Sequence, residues 1–181
     1  MSQSPRPFHR TLALAALMLV TALPAQAQWL AVGRWGTDGS WRYVQPGTWM
    51  VLQENGGEAV SVSAEAENHD GRLEFWCRRE AAEGGLVFDF YFGDALNRPE
   101  AEKEPQIATL QIDGQTFDTA LSYDPEARNW HDSGALRREL LDAFSWGSSL
   151  ELVNAAGDTI SRFRLNNSGS ARSALRNTCG L

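Results

Sequence analysis

Glu58-Ala59-Val60-Ser61-Val62-Ser63-Ala64-Glu65-Ala66 alternates small apolar with polar residues. Successive side chains leave a strand on opposite faces, so a period of two sets Val60, Val62 and Ala64 on one side and the serines on the other. That is the pattern of a strand buried on one face. Leu73, Phe75 and Cys77 continue it, and Leu86, Phe88, Phe90 and Phe92 repeat it. Between these stripes lie Glu54-Asn55-Gly56-Gly57, His69-Asp70-Gly71-Arg72 and Glu83-Gly84-Gly85, each read as supplying glycine where a turn needs positive φ.

Further along, residues 97–105 have the proline and charge density of a solvated loop. Asp113-Gly114 separates Ile107–Ile112 from Thr116–Leu121, which predicts a hairpin. From Ser133-Gly134 the period changes. Leu136, Leu140, Leu141 and Phe144 recur at three and four positions, which predicts an amphipathic helix over Ala135–Ser145. Leu150–Val153 and Thr159–Leu165 read as a second hairpin across Ala156-Gly157-Asp158. Ser168 or Ser170 can cap a last helix running to about Asn177, which would deliver Cys179 to the sheet. The expected fold is mainly β: an antiparallel β-sandwich or bent sheet of roughly eight to ten strands with two short helices.

The N-terminus reads differently. Arg6, His9 and Arg10 precede the apolar run Thr11–Leu23, and Pro24-Ala25-Gln26-Ala27 matches the Ala-x-Ala pattern of a signal-peptidase site. Residues 1–27 are therefore expected to be a cleaved signal peptide, and residues 28–181 a single β-rich exported domain of the periplasm, retained there or secreted. The apolar run falls short of the ~20 residues that span a bilayer, so no stable membrane anchor is expected. Two cysteines in an exported chain predict one disulfide between Cys77 and Cys179, without the C-x-x-C spacing of a redox or metal pair.

Losing Arg6 and Arg10 with the signal takes the formal charge from −7 to −9, and Lys103 is the only lysine. Such a balance repels phosphate backbones and anionic membranes, which disfavours nucleic-acid partners and leaves neutral, cationic or protein ones.

Chemistry-bearing motifs are sparse. His69 and His131 each precede an aspartate, Asp70 and Asp132, and read as turn residues, because a zinc site needs three or four convergent ligands. The patterns H-E-x-x-H, G-x-S-x-G and S-x-x-K are absent. No catalytic residue, metal ligand or cofactor is assigned. Seven tryptophans are the unusual feature of composition, crowded toward the start of the exported part. An exposed indole combines large apolar area with one donor, so Trp35, Trp41, Trp49 and Trp130 are candidate recognition residues. Trp76 reads as lying on the second face of its strand, beneath a cover such as the 135–145 helix.

Leu73-Glu74-Phe75-Trp76-Cys77, Ile112-Asp113-Gly114, Trp130 before a short helix, Leu150-Glu151-Leu152-Val153, and Phe163-Arg164-Leu165 leading through Ser168–Leu175 to Cys179 together form a pattern. It resembles the type VI secretion accessory proteins of the periplasm, and more loosely the invasion-associated locus B family. The likeness spans residues 73–179 and leaves out the N-terminal third. It implies a β-rich fold and a non-enzymatic role, with no catalytic residues to carry over. The expected function is a non-catalytic periplasmic binding or accessory protein that contacts another periplasmic or envelope protein. The alternatives are an inhibitor or immunity-type protein blocking a secreted enzyme, and a hydrolase with an unrecognised site.

Overall fold

A computed structural model describes residues 31–34, 41–44, 47–79, 83–90, 104–134 and 136–181, the first two segments as backbone strands. Those two, β1 (Ala31–Arg34) and β2 (Trp41–Val44), pair antiparallel in a sheet of their own. The remaining strands are β3 (Met50–Glu54), β4 (Ala59–Glu65), β5 (Gly71–Arg78), β6 (Glu83–Phe90), β7 (Gln106–Ile112), β8 (Gln115–Asp124), β9 (Asn129–Asp132), β10 (Ser149–Val153) and β11 (Thr159–Arg164). They form one open antiparallel sheet in the order β11-β10-β7-β8-β9-β6-β5-β4-β3. The fold is thus the single bent sheet of the two expected alternatives, not a sandwich.

The period of two decides which side is core. Val60, Val62 and Ala64 of β4, Leu73, Phe75 and Cys77 of β5, and Leu86 and Phe88 of β6 are all buried on one face. Two helices cover that face, α1 (Arg138–Trp146) with Leu140, Leu141 and Phe144 inward, and α2 (Ser168–Cys179) with Ser168, Ala171, Leu175 and Thr178 inward. Phe144 meets Phe75 edge-on at 5.1 Å and Trp49 at 4.5 Å, while Trp49 stacks on Phe75 at 5.5 Å. Each buried phenylalanine contributes about 1.5–3 kcal/mol by leaving water. Cys77 on β5 is bonded to Cys179 at the end of α2, with Cα atoms 6.4 Å apart across 102 residues of chain.

The hairpin at Asp113-Gly114 forms with φ of 46° and 88° at its two central residues, the double left-handed turn that matches strand twist. Other local expectations are corrected. Gly71, Gly84 and Gly85 lie within strands, not turns, and serve close approach: a Cβ on Gly71 would stand 2.5 Å from the Asp89 carbonyl oxygen. His69, at φ 58°, takes the left-handed position of the β4–β5 turn instead. Helix α1 begins at Arg138 instead of residue 135. Arg137 is extended, its guanidinium donating to the Asp118 carbonyl, and Leu136 packs against the core. Neither serine caps α2. Its N-cap is Asn167, and the Ser168 hydroxyl turns back to the Leu165 carbonyl. Most of the predicted 97–105 loop lies outside the described residues.

The far ends of the sheet meet at one corner. Trp49 donates its backbone N–H to the Asn166 carbonyl at 3.0 Å, Thr48 and Asn166 form an isolated parallel bridge, and Asn167 Nδ2 donates to the Trp49 carbonyl at 2.8 Å. The β4–β5 turn also reaches β11, with Glu67 N–H donating to the Arg162 carbonyl at 2.7 Å and Asn68 Nδ2 to that of Ile160 at 2.9 Å. No helix among the described residues is long and apolar enough to cross a membrane.

Candidate functional site

The face of the sheet turned away from the helices carries the other parity of each strand. Register sets Glu65, Arg72 and Asp89 in one row across β4, β5 and β6, then Ser63, Glu74 and Val87, then Ser61, Trp76 and Gly85. Arg72 is the hub of the first two rows. Its Nε and Nη2 donate to Asp89 Oδ2 at 3.0 and 2.8 Å, and its Nη1 donates to Glu74 Oε2 at 2.6 Å. With only 8% of Arg72 exposed, these are charge-assisted bonds shielded from water, so they fix the Glu74 carboxylate in place.

Beside this network is a cleft of about 230 Å³, lined among others by Glu54, Ser61, Glu74, Trp76, Arg78 and Val87. Its space follows from residue size: Ser61 and Gly85 flank Trp76 on the neighbouring strands, so among the described residues its two register partners place no bulky side chain beside the indole. Trp76 is half-buried, and the Arg78 guanidinium sits 5.7 Å from its ring centroid, within cation–π range. The cleft therefore offers an aromatic wall, an immobilised carboxylate, and the Arg78 cation on an exposed side chain.

The tryptophans divide in a way composition did not reveal. Trp49 is fully enclosed and Trp130 is 3% exposed, packed against Tyr123 at 5.2 Å, so both are core residues and neither presents a stacking surface. Trp35 lies outside the described residues, as does the side chain of Trp41, which stands on β2. Trp76 is on the second face as expected, but helix α1 packs on the opposite face, against Phe75, and does not cover it. Trp146, 88% exposed at the end of α1, was also missed, although it falls off the Leu140–Leu141–Phe144 stripe.

The histidines separate too. His69 is a turn residue whose Nδ1 lies 3.2 Å from Glu65 Oε1, whereas His131 is in β9, opposite Val87 and Ser122. Asp132 is structural, accepting the Thr119 hydroxyl at 2.5 Å and the Gly134 N–H at 2.7 Å. Among the described residues, no three His, Cys, Asp or Glu side chains converge as a metal site. Asp113 and Asp124 have carboxyls held below the ordinary value, Asp113 chiefly by the Ser148 N–H and Asp124 chiefly by the Ala127 N–H. Both tie down turns and lie away from the cleft lining. Compared with family models, with curated proteins and with solved structures, the chain matches none.

Proposed function

We propose that the protein is a non-catalytic binding or accessory protein of the periplasm that acts through contacts with another envelope protein, made by the sheet face around Trp76. The observation that carries this reading is the cleft itself, in which a half-buried indole stands open between Ser61 and Gly85 beside a carboxylate that Arg72 holds still. Tryptophan in a partly desolvated recess with fixed polar neighbours is the usual makeup of an interface anchor. The disulfide agrees with export to an oxidising compartment, and the likeness of residues 73–179 to periplasmic accessory proteins implies a non-enzymatic role.

An inhibitor of a basic secreted enzyme is the second reading, favoured by the formal charge of −7. One experiment addresses both. The exported form and its Trp76→Ala variant are cross-linked in the periplasm and recovered with whatever they hold. A protein captured by the first and lost by the second, with far-ultraviolet dichroism unchanged, supports the interface. Association that weakens steeply with salt, together with loss of an enzyme's activity, selects the inhibitor. Equal capture by both forms overturns the role of the Trp76 face.

A further inference from the structure

The disulfide is not equally enclosed at its two ends. Cys77 on β5 is 1% exposed. Cys179, in the last turn of α2, is partly exposed and lines a second cleft, also of about 230 Å³. Gly84, Ser133, Gly134 and Leu136 are among the other described residues of that lining. A Cβ on Gly84 would stand 3.3 Å from the Cys77 Cβ and 3.0 Å from Leu136 Cδ1, so glycine there leaves the flank of the bond free of a side chain. A Cβ on Gly134 would meet Asp132 Oδ1 at 3.4 Å, which is ordinary contact.

The parts that the bond joins are also held by other means. Strand β5 has its ladders to β4 and β6, and neither involves α2. Helix α2 keeps Ala171 and Leu175 fully buried and Arg172 bonded to Asp142, one turn or more before Cys179. The bond acts chiefly on the last turn, where Arg79 Nε donates to the Thr178 carbonyl at 2.9 Å. Access to one sulfur within a frame that stands without the bond is the setting of an exchangeable disulfide.

We infer that Cys77–Cys179 is a redox switch, opened at Cys179 by a dithiol protein of the C-x-x-C kind through this cleft, and that opening frees the last turn of α2 while the sheet stays folded. A thiolate of the reductant attacks Cys179 Sγ and forms a mixed disulfide with it. The original S–S bond breaks, and Cys77 leaves with the electron pair and takes a proton from water. The reductant's second thiolate then attacks its own bridged sulfur, and Cys179 leaves and is protonated. Two electrons pass from the dithiol to the protein, with one S–S bond broken and one formed. A thiol enclosed in apolar surroundings reacts slowly, so Cys77 does not reverse the first step at once. The switch goes beyond the contact face around Trp76, which points to the opposite side of β5 from Cys77.

The test treats the exported form, without denaturant, with dithiothreitol at increasing concentration, and separately with a C-x-x-C oxidoreductase whose second cysteine is serine. Reduction is expected to proceed in proportion to dithiothreitol. Trypsin should release the trapped oxidoreductase joined to the Asn177–Leu181 peptide. Gly134→Phe, placed where a Cβ has room, should slow reduction about tenfold or more by filling the cleft, with the urea midpoint of the oxidised protein unchanged. Ser133→Phe, at an exposed position of the same wall, serves if that variant fails to fold. In the reduced protein, amides from Ala174 to Cys179 should exchange with deuterium about tenfold or more faster, while those of β4, β5 and β6 stay protected. Four results overturn the inference. Reduction that ignores dithiothreitol concentration and follows unfolding in urea is one, and trapping on the Leu73–Arg78 peptide is another. The third is a folded, cleft-filled variant reduced as fast as the parent. The last is loss of protection in sheet and helix together, which would make the bond a staple of the whole fold.

Discussion

Trp49 Nε1 donates to the Arg164 carbonyl at 3.1 Å across 115 residues of chain, joining the segment just ahead of the first strand of the main sheet to the last residue of its final one. The indole performs two tasks at that corner, filling the space between Phe75, Phe144 and Phe163 and satisfying a carbonyl at the end of β11. Trp49→Phe keeps much of the first and removes the second, so a loss of about 1–3 kcal/mol is expected. Trp49→Ala removes both and should cost about 3–5 kcal/mol. Urea unfolding of the two variants checks the order, and a phenylalanine variant as unstable as the alanine one would contradict it.

The disulfide closes a loop of 102 residues, for which chain entropy predicts about 4–5 kcal/mol of stabilisation. Cys179→Ser should lower stability by about 2–5 kcal/mol and release the end of α2 from β5. Denaturant midpoints measured with and without reductant test this: reductant should shift the parent and leave the variant unmoved.

Asp113 predicts an acid limb to stability. Its carboxylate accepts the Ser148 and Ser149 N–H groups at 2.7 and 3.2 Å, and the Ser148 bond is the main reason its carboxyl titrates below the ordinary 3.8. A lowered folded value means that the unfolded chain takes up the proton first on acidification. The contribution is complete above the ordinary value and drains away as pH falls through the folded one. Asp113→Asn tolerates the same left-handed backbone and should flatten thermal stability against pH below about 4. Asp124, held low by the Ala127 and Glu126 N–H groups, keeps a residual slope of the same sign.

Gly85 is expected to refuse any side chain. A Cβ there would lie 2.5 Å from the Asp132 carbonyl oxygen and 3.1 Å from Ser133 Cα, both backbone atoms that cannot step aside. Gly85→Ala should therefore destabilise by about 1–3 kcal/mol through displacement of β9. A melting temperature equal to the parent's would show that the strands have room to part.

Local regularity was readable. The alternation of β4, β5 and β6, the Asp113-Gly114 turn, the helical stripe of Leu140, Leu141 and Phe144 and the pairing of the cysteines are each set by residues within a few positions or by composition. Order in the sheet was not, because the pairing of β10 with β7 and the insertion of β9 between β8 and β6 depend on contacts without a local signature. The glycines misled for the same reason: a strand glycine that admits a neighbour's backbone looks like a turn glycine until the neighbour is known. Trp49 precedes β3 in a stretch without periodicity, so nothing nearby announced its burial, whereas the second-face position of Trp76 follows from the phase of β5, and the outward position of Trp146 could have been read from that of α1.

The bond between Cys77 and Cys179 also decides how the molecule responds to proteases. A single cut anywhere between those two positions leaves the products on one covalent molecule, and only reduction releases them. Nicked protein would migrate as intact on a non-reducing gel, and could keep the Trp76 face attached to the remainder of the fold.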